Sequence, residues 1–205
     1  MKLVIIDRDG TINEDRDDYV KSVDEWVPIA GSLEAIAKLN QAGWQVVIAT
    51  NQSGLGRGLF DMSALNEMHA QMNRILVGLG GRVEAIFFCP HAPADACDCR
   101  KPLTGLLTAI AQRFNVELSG VPIVGDMPRD LLAGVAVGCE PHLVRTGQGA
   151  LLDAPRLSEL RRQAKGLCVH ADLAAFADFL IAREHRKGSA ARRKIADEPD
   201  ALELA

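Results

Sequence analysis

The chain has 205 residues, of which 48% are hydrophobic and 24% charged, and its formal net charge is -4. This length and composition indicate one globular domain with a sizeable core, and the acidic balance excludes the broad basic surface of a general nucleic-acid-binding protein. No apolar run approaches the roughly 18 residues that a membrane span needs, and the first apolar run is too short for a secretory signal. We therefore expect a monomeric, cytoplasmic protein without nucleic-acid or membrane partners.

Short apolar runs alternate with longer amphipathic ones along most of the chain. Continuous apolar runs rich in β-branched residues predict strands at 2–7, 44–50, 83–88, 121–126 and 141–147. Apolar positions at helical spacing predict helices at 31–43, 61–80, 105–115, 129–138 and 171–184. This alternation indicates an α/β fold, a three-layer Rossmann-like parallel sheet with helices on both faces. Because the segment between the first two strands is largely one helix, we expect little or no cap domain.

The composition changes at residue 183, where a charged, alanine-rich segment without a strong apolar face begins. Such a segment buries too little apolar surface to offset the entropy of ordering, which predicts a disordered tail over 183–205. The folded domain is accordingly expected at 1–182. The basic part of the tail could alternatively bind an acidic partner.

Acidic residues follow two of the predicted strands. Asp7 and Asp9 come after the first strand, two residues apart, and Asp126 comes at the end of the fourth. Ligands of parallel sheets bind beyond the carboxyl ends of the strands, so we expect these carboxylates at one edge. There a hard divalent cation such as Mg²⁺ would neutralise them. The alternatives are an Asp-Gly turn for the first pair and a helix N-cap for Asp126.

Two further segments offer phosphate-binding chemistry. The glycine-rich loop 49–58 follows the second strand and can bring hydroxyl, amide and guanidinium groups to phosphate oxygens. Lys101 can neutralise a phosphoryl group. The alternatives are a flexible surface loop and a solvated lysine. The polar side chains of the loop include Thr50, Asn51, Gln52, Ser53 and Arg57.

Three of the five cysteines and one histidine lie between residues 89 and 99. In a reducing compartment this clustering indicates a metal site rather than a disulfide framework. A redox pair is the alternative, but the last two cysteines are spaced Cys-x-Cys and not the Cys-x-x-Cys of redox motifs.

The ordered set of motifs resembles the haloacid dehalogenase-like phosphatases over nearly all of the folded chain. The set is Asp-x-Asp-Gly-Thr beginning at Asp7, then Thr50, then Lys101, then Gly-Asp-x-x-x-Asp containing Asp126. The resemblance implies that Asp7 attacks phosphorus to form an aspartyl-phosphate, and that Asp9 is the general acid and then the base. It implies that Thr50 and Lys101 hold the phosphoryl group. The implied Mg²⁺ ligands are Asp7, the backbone carbonyl of Asp9, and Asp126.

The finer resemblance is to the branch of that family whose members act on D-glycero-D-manno-heptose 1,7-bisphosphate or on histidinol phosphate. That branch carries a zinc loop ahead of the catalytic lysine. Here the loop would be 89–102, and its closed tetrahedral Zn²⁺ site would be structural and would fix the position of Lys101. Its ligands would be Cys89, His91, Cys97 and Cys99.

For the substrate, the resemblance favours removal of the 7-phosphate of the heptose bisphosphate, a small phosphorylated sugar and a precursor of the lipopolysaccharide core. Against this, Met127 stands where the heptose enzymes often carry lysine, and the short spacer within the zinc loop resembles the histidinol branch as much. Histidinol-phosphate hydrolysis and a non-catalytic zinc-binding module are the alternatives. The predicted substrate contacts are Asp15, Asp18, Tyr19, Asn51, Gln52, Ser53, Arg57 and Arg100.

Overall fold

A parallel sheet forms the centre of the computed structural model, which describes the backbone of residues 1–196 and the side chains of residues 1–186. Its strands are β1 Leu3–Ile6, β2 Gln45–Asn51, β3 Ala85–Cys89, β4 Pro122–Gly125, β5 Glu140–Val144 and β6 Cys168–His170. They lie in the order β3-β2-β1-β4-β5-β6, so the chain begins in the middle of the sheet and winds outward in both directions.

Helices connect the strands and cover both faces of the sheet. They are α1 Ser32–Gln41, α2 Ser53–Gly56, α3 Met62–Gly78, α4 Gly105–Phe114, α5 Pro128–Ala136, α6 Ala154–Gln163 and α7 Leu173–Ala196, with a 3-10 turn at Gly147–Leu151. The buried residues of α1, α3 and α7 pack on one face of the sheet, and those of α4 and α5 on the other. The predicted fold class is confirmed.

The central strand β1 shows why its sequence is a continuous apolar run. Val4 and Ile6 belong to the core on one face, and Leu3 and Ile5 belong to the core on the other. Since side chains alternate along a strand, a sheet covered on both faces needs apolar residues at every position. Such a strand carries no polar face, and its polar chemistry begins where it ends.

The structure adds elements that periodicity did not reveal. Among the residues of α6, Leu160 alone is fully buried, so this helix lacks the apolar stripe that identifies a helix in a sequence. Strand β6 has three residues, too few for a visible alternation. The short helix α2 lies within the loop that was predicted as glycine-rich coil.

The last helix continues past the predicted domain boundary. Helix α7 runs to Ala196, whereas the composition predicts disorder from residue 183. Arg183 donates to Glu140 (2.6 Å) and Glu184 pairs with Lys2 (3.9 Å), so tertiary contacts continue beyond residue 182. Alanine, arginine and lysine also favour a helix once it is nucleated. Residues 197–205 of the predicted tail lie outside the described residues.

The segment between β1 and β2 forms a loop, residues 14–27, and then α1. Because the loop carries the predicted substrate contacts Asp15, Asp18 and Tyr19, it is called the substrate loop below. The base of this loop is closed by two backbone hydrogen bonds, from Glu14 to Val27 and from Ile29 to Ile12, both 2.9 Å. The structure describes every residue of the segment between β1 and β2, and this segment contains no separate cap domain. Within residues 1–196, no helix has the length and apolar character required to cross a bilayer.

Candidate active site

The carboxyl ends of three neighbouring strands bring the predicted catalytic side chains to one edge of the sheet. Asp7 follows β1, which lies between β2 and β4. Thr50 lies near the end of β2, and Asp126 directly follows β4. The Asp7 backbone N–H donates to the carbonyl of Val124 (2.9 Å), which fixes the first aspartate in the pairing of β1 with β4.

Three buried carboxylates and one ammonium group form the centre of the site. Asp7, Asp126 and Asp130 are at most 5% exposed, and one oxygen of each lies within 4.8 Å of the others. Lys101 Nζ donates to Asp7 Oδ1 (2.7 Å) and to the carbonyl of Ala49 (2.6 Å), and lies 2.8 Å from Asp130 Oδ1. Asp7 and Asp130 therefore pair with one ammonium group, and Asp126 adds a third acidic group within 4.8 Å of them.

Burial and the surplus of negative charge shift the pKa values of the cluster. Burial and then repulsion from Asp130 raise the pKa of Asp7 to about 7, although Lys101 lowers it. Burial, with repulsion from Asp130 and Asp7, raises the pKa of Asp126 to about 8. For Lys101, burial lowers the pKa but the two neighbouring carboxylates outweigh it and raise the pKa, so the group stays an ammonium. A divalent cation would relieve this repulsion.

Two glycines allow the backbone to pack directly against Asp126. Gly10 has φ +76°, and a Cβ there would lie 2.1 Å from Asp126 Oδ2; a Cβ at Gly147 would lie 2.3 Å from the same atom. The backbone N–H of Gln148 donates to Asp126 Oδ2 (2.8 Å). The other oxygen, Oδ1, is buried and has no hydrogen-bond partner in the described part of the chain. A buried carboxylate oxygen without a hydrogen-bond partner can serve as a ligand of a metal ion.

Asp9 lies outside the carboxylate cluster and is held by donors. Arg8, fully buried, donates to both Asp9 oxygens at 2.9–3.1 Å, and Asn13 (2.9 Å) and Gln52 (2.7 Å) also donate to them. Burial alone would raise the pKa of Asp9, but Arg8 and these hydrogen bonds outweigh it and lower the pKa. The remaining Arg8 nitrogen, Nη1, lies 3.2 Å from Nε2 of His69, whose pKa burial and the arginine lower to about 4.

The last residue of β2 holds the backbone of Lys101. Asn51 Nδ2 donates to the carbonyl of Lys101, and the Lys101 N–H donates to Asn51 Oδ1, both at 3.1 Å. Gln52 Nε2 donates to the hydroxyl of Thr50 (2.9 Å), which is 1% exposed. Hydrogen bonds of Asn51 and Gln52 therefore connect the end of β2 to Lys101 and to Asp9.

A cavity of about 260 Å³ opens beside Asp9. Arg129 and Gln148 also line it, and nothing in the sequence indicated Gln148. Arg100 Nη1 and Arg129 Nε are buried and have no hydrogen-bond partner among the described residues, although Arg129 Nε lies 3.9 Å from Asp130 Oδ1. The predicted substrate contacts that line this cavity are Asp15, Tyr19, Asn51, Gln52, Ser53 and Arg100.

Two predicted substrate contacts lie elsewhere. Asp18 forms ion pairs with Arg16 (3.0 Å) and Lys21 (2.6 Å) on the outer surface of the substrate loop. The Arg57 guanidinium lies 5.8 Å from the centre of the Tyr19 ring. Neither Asp18 nor Arg57 lines the cavity, because their side chains are engaged by neighbours on the surface.

The four predicted zinc ligands also converge. One ligand atom from each of Cys89, His91, Cys97 and Cys99 lies within 4.8 Å of the others. The separations that join them include Cys89 Sγ to Cys97 Sγ (3.9 Å) and His91 Nδ1 to Cys99 Sγ (3.2 Å). A tetrahedral site with Zn–S bonds of about 2.3 Å has sulfur–sulfur edges of about 3.8 Å. This sulfur–nitrogen cluster therefore has the composition and spacing of a closed metal site.

The fold and the site together define a haloacid dehalogenase-like hydrolase. Aspartates after β1 and β4, a hydroxyl at the end of β2 and a buried lysine meet at one edge, as the motifs predict. The family model described as polynucleotide kinase 3 phosphatase matches residues 2–130, and the model described as HAD-hydrolase-like matches residues 98–173.

Similar proteins narrow the class. The chain is 52% identical over 188 residues to the D-glycero-beta-D-manno-heptose-1,7-bisphosphate 7-phosphatase of Bordetella bronchiseptica, covering 88% of this chain and 98% of that protein. It is 49% identical to the enzyme of the same name from Pseudomonas aeruginosa, covering 87% and 97%. The B. bronchiseptica crystal structure, complexed with magnesium and phosphate, superposes with a TM-score of 0.84 at 53% identity over 89% of this chain and 99% of that one.

The chain belongs to the D-glycero-beta-D-manno-heptose-1,7-bisphosphate 7-phosphatase family of haloacid dehalogenase-like phosphatases. The family resemblance predicted from the motifs is confirmed.

Proposed function

We propose that this protein is a Mg²⁺-dependent phosphatase that removes the 7-phosphate of D-glycero-D-manno-heptose 1,7-bisphosphate through an aspartyl-phosphate on Asp7. The observation that carries the proposal is the buried Lys101 ammonium, which lies between Asp7 and Asp130, two members of the carboxylate cluster that Asp126 completes. A lysine in this position neutralises a nucleophilic carboxylate and an incoming phosphoryl group together.

Asp7, Asp126 and the backbone carbonyl of Asp9 are the proposed Mg²⁺ ligands. The unpaired Oδ1 of Asp126 and the raised pKa values of Asp7 and Asp126 support a cation at this place. When bound, Mg²⁺ would neutralise the phosphoryl oxygens and lower the repulsion between the substrate and Asp7. Asp130, which the sequence placed one helical turn beyond Asp126, balances the charge of Lys101.

The reaction proceeds by two in-line transfers of the phosphoryl group, first to Asp7 and then to water. A carboxylate oxygen of Asp7 attacks phosphorus, and the bond from phosphorus to the sugar oxygen breaks as Asp9 gives that oxygen its proton. Asp9 then accepts a proton from water, which attacks the aspartyl-phosphate at phosphorus and releases inorganic phosphate and free Asp7. The donors around Asp9 keep it ionised in the resting site. The dianionic substrate opposes that effect and favours the protonated acid.

The substrate class follows from the charges at the cavity. Arg100 and Arg129 bring two guanidinium groups to the cavity beside the proposed phosphoryl site, each with a nitrogen that has no hydrogen-bond partner among the described residues, which suits a second phosphate. Arg129 would supply the positive charge that Met127 does not. The loop side chains Asp15 and Tyr19 are the proposed contacts of the sugar hydroxyls. This reading favours a bisphosphate over histidinol phosphate, which has one phosphate and a cationic group.

The sulfur–nitrogen cluster is the proposed structural Zn²⁺ site. A closed four-ligand shell leaves no position for substrate, and Lys101 follows Cys99 by two residues. The zinc would therefore fix the loop that carries Arg100 and Lys101. We further propose that the protein acts in the cytoplasm, as a monomer, on a small phosphorylated sugar.

The proposal is tested by initial rates on heptose 1,7-bisphosphate and histidinol phosphate, measured side by side with Mg²⁺. We expect kcat/KM to favour the heptose bisphosphate by about 100-fold or more, since two charged guanidinium contacts contribute to its binding. The Arg100→Met variant should lose about tenfold or more on the bisphosphate and little on a heptose 7-monophosphate. The matched control is Arg161→Met on the exposed face of α6. Faster hydrolysis of histidinol phosphate would establish the alternative substrate.

A further inference from the structure

Tyr19 has an unusual backbone conformation at the tip of the substrate loop. Its φ is +69°, in the left-handed region that a residue with a Cβ rarely adopts. The residue lies between the exposed Asp18 and Val20, which is 4% exposed and belongs to the main core. The left-handed turn therefore joins a buried anchor to a solvated tip. Conformations of this kind persist where surrounding contacts hold them, and they concentrate at functional sites.

The ring of Tyr19 is placed between two loops. It lines the 260 Å³ cavity together with Gln52 and Ser53, which belong to the glycine-rich loop after β2. On the same ring, the Arg57 guanidinium lies 5.8 Å from the centroid. The substrate loop and the glycine-rich loop thus meet at one aromatic side chain.

Arg57 has the position of a support and not of a ligand. Its side chain is exposed and does not line the cavity. Its guanidinium forms no ion pair within the part of the chain whose side chains are described. The group that it contacts is the Tyr19 ring. A guanidinium over an aromatic face gives an attraction that survives at an exposed position. Gly56 and Gly58 flank Arg57, and the Gly56 N–H is bonded to the Pro90 carbonyl (2.9 Å), which fixes the backbone below the arginine.

We propose that Arg57 is a positioning residue, which acts through a cation–π contact that holds the Tyr19 ring in place as a wall of the substrate cavity. This inference rests on the proposed function, because the cavity matters only if the substrate binds there. It replaces the sequence-based expectation that Arg57 contacts a phosphate directly. The contact joins the substrate loop to the glycine-rich loop, whose Gln52 donates to both Asp9 and Thr50.

A positioning role predicts a specific pattern in kinetics. Substitution of Arg57 by methionine should raise KM for the bisphosphate about two- to fivefold, the strength of an exposed cation–π pair, with kcat nearly unchanged. Lysine keeps a cation and should retain most of the affinity. In the Tyr19→Leu background the Arg57→Met substitution should have no further effect on KM, because its partner is already absent. An additive effect would mean that Arg57 contacts the substrate itself, and would overturn the proposal.

A spectroscopic measurement separates this proposal from the proposed function. Tyr19 is the single tyrosine of the chain, so growth with 3-fluorotyrosine places one ¹⁹F label on its ring. Without any substrate, Arg57→Met should move the resonance toward that of the unfolded protein, while Arg57→Lys and the surface control Arg161→Met should leave it in place. An unchanged resonance in Arg57→Met would overturn the contact. Absence of phosphatase activity in the wild type would instead reject the proposed function and leave the spectrum interpretable.

Discussion

The two clusters of ligand residues in this protein are assembled in opposite ways. Asp7 follows one strand and lies more than 100 residues before Asp126 and Asp130, which come from another strand end and the helix after it, and the oxygens of all three meet beneath the surface. The sulfur–nitrogen cluster comes from eleven consecutive residues and is partly exposed. The first needs the whole sheet in order to exist, while the second can organise a loop that has neither helix nor strand. We infer that the first is functional at a cost in stability and that the second stabilises.

The largest expected effect comes from Asp7→Asn. Without the nucleophilic oxygen, turnover should fall by about a thousandfold or more. The pKa of Asp7 in the folded protein is raised to about 7, so its contribution to stability is present at acid pH and is lost as the pH rises through 7. At pH 8 the metal-free variant should therefore melt no lower than the metal-free wild type. Rates and melting curves measure both.

The control for this variant is Asp178→Asn, an exposed aspartate that pairs with Lys38 far from the site. Full turnover in Asp7→Asn would show that the nucleophile is misassigned. A large loss of stability at pH 8 would contradict the comparison, because the carboxylate cluster would then support the fold.

The second prediction concerns the sulfur–nitrogen cluster. Cys99→Ser should abolish stoichiometric zinc and lower the melting temperature by about 10 °C, since a lost structural site of about 3 kcal/mol shifts a domain of this size by that amount. Activity should fall as well, because Lys101 lies two residues beyond the lost ligand. Metal analysis, calorimetry and initial rates check the three effects.

Cys168→Ser is the matched control, since Cys168 lies on β6 outside both clusters. Zinc absent from carefully purified wild-type protein would contradict the structural site. Unchanged stability in Cys99→Ser would mean that the sulfur–nitrogen cluster does not stabilise the fold, and the inferred difference in stability between the two clusters would be wrong.

The same contrast explains what the sequence could predict. Strand-end aspartates were predictable because β1 and β4 are continuous apolar runs that end abruptly in polar residues, and a parallel sheet brings such ends together. The sulfur–nitrogen cluster was predictable because its members are close in the chain. Helix α6 was not predictable from the sequence, since it buries a single residue fully and shows no apolar stripe.

Side-chain direction was the part that could not be predicted. Arg8 lies between two aspartates and resembles a surface residue in the sequence, yet it is fully buried and binds Asp9 and His69. Arg57 is a cationic residue in a glycine-rich loop, which predicts a phosphate ligand, yet its guanidinium lies over the Tyr19 ring. Both outcomes depend on contacts with residues that come from other parts of the fold, and local pattern carries no information about them.

A third group of buried ionisable residues sharpens the comparison, because it carries neither metal ligands nor catalytic roles. His142 on β5 and His170 on β6 are 1% and 9% exposed, and His142 Nδ1 lies 3.0 Å from His170 Nε2. Phe176 and Phe179 of α7 pack against both rings. Burial, then His170 and Arg183, lower the pKa of His142 to about 3, and burial lowers that of His170.

The smallest expected effect is therefore on the pH dependence of stability. Since the folded pKa of His142 is below its unfolded value of 6.5, its contribution is present above pH 6.5 and is lost as the pH falls below it. Between pH 7.5 and 5.5 the wild type should lose about 1 kcal/mol more unfolding free energy than His142→Gln, which keeps a hydrogen-bonding side chain but cannot titrate. Urea unfolding at several pH values measures this difference. Equal losses in the two proteins would mean that His142 accepts a proton without unfolding. In that case burial beside α7 would not keep these rings neutral, in contrast to the carboxylate cluster, where burial and repulsion raise the pKa values of Asp7 and Asp126 and so favour their uncharged forms.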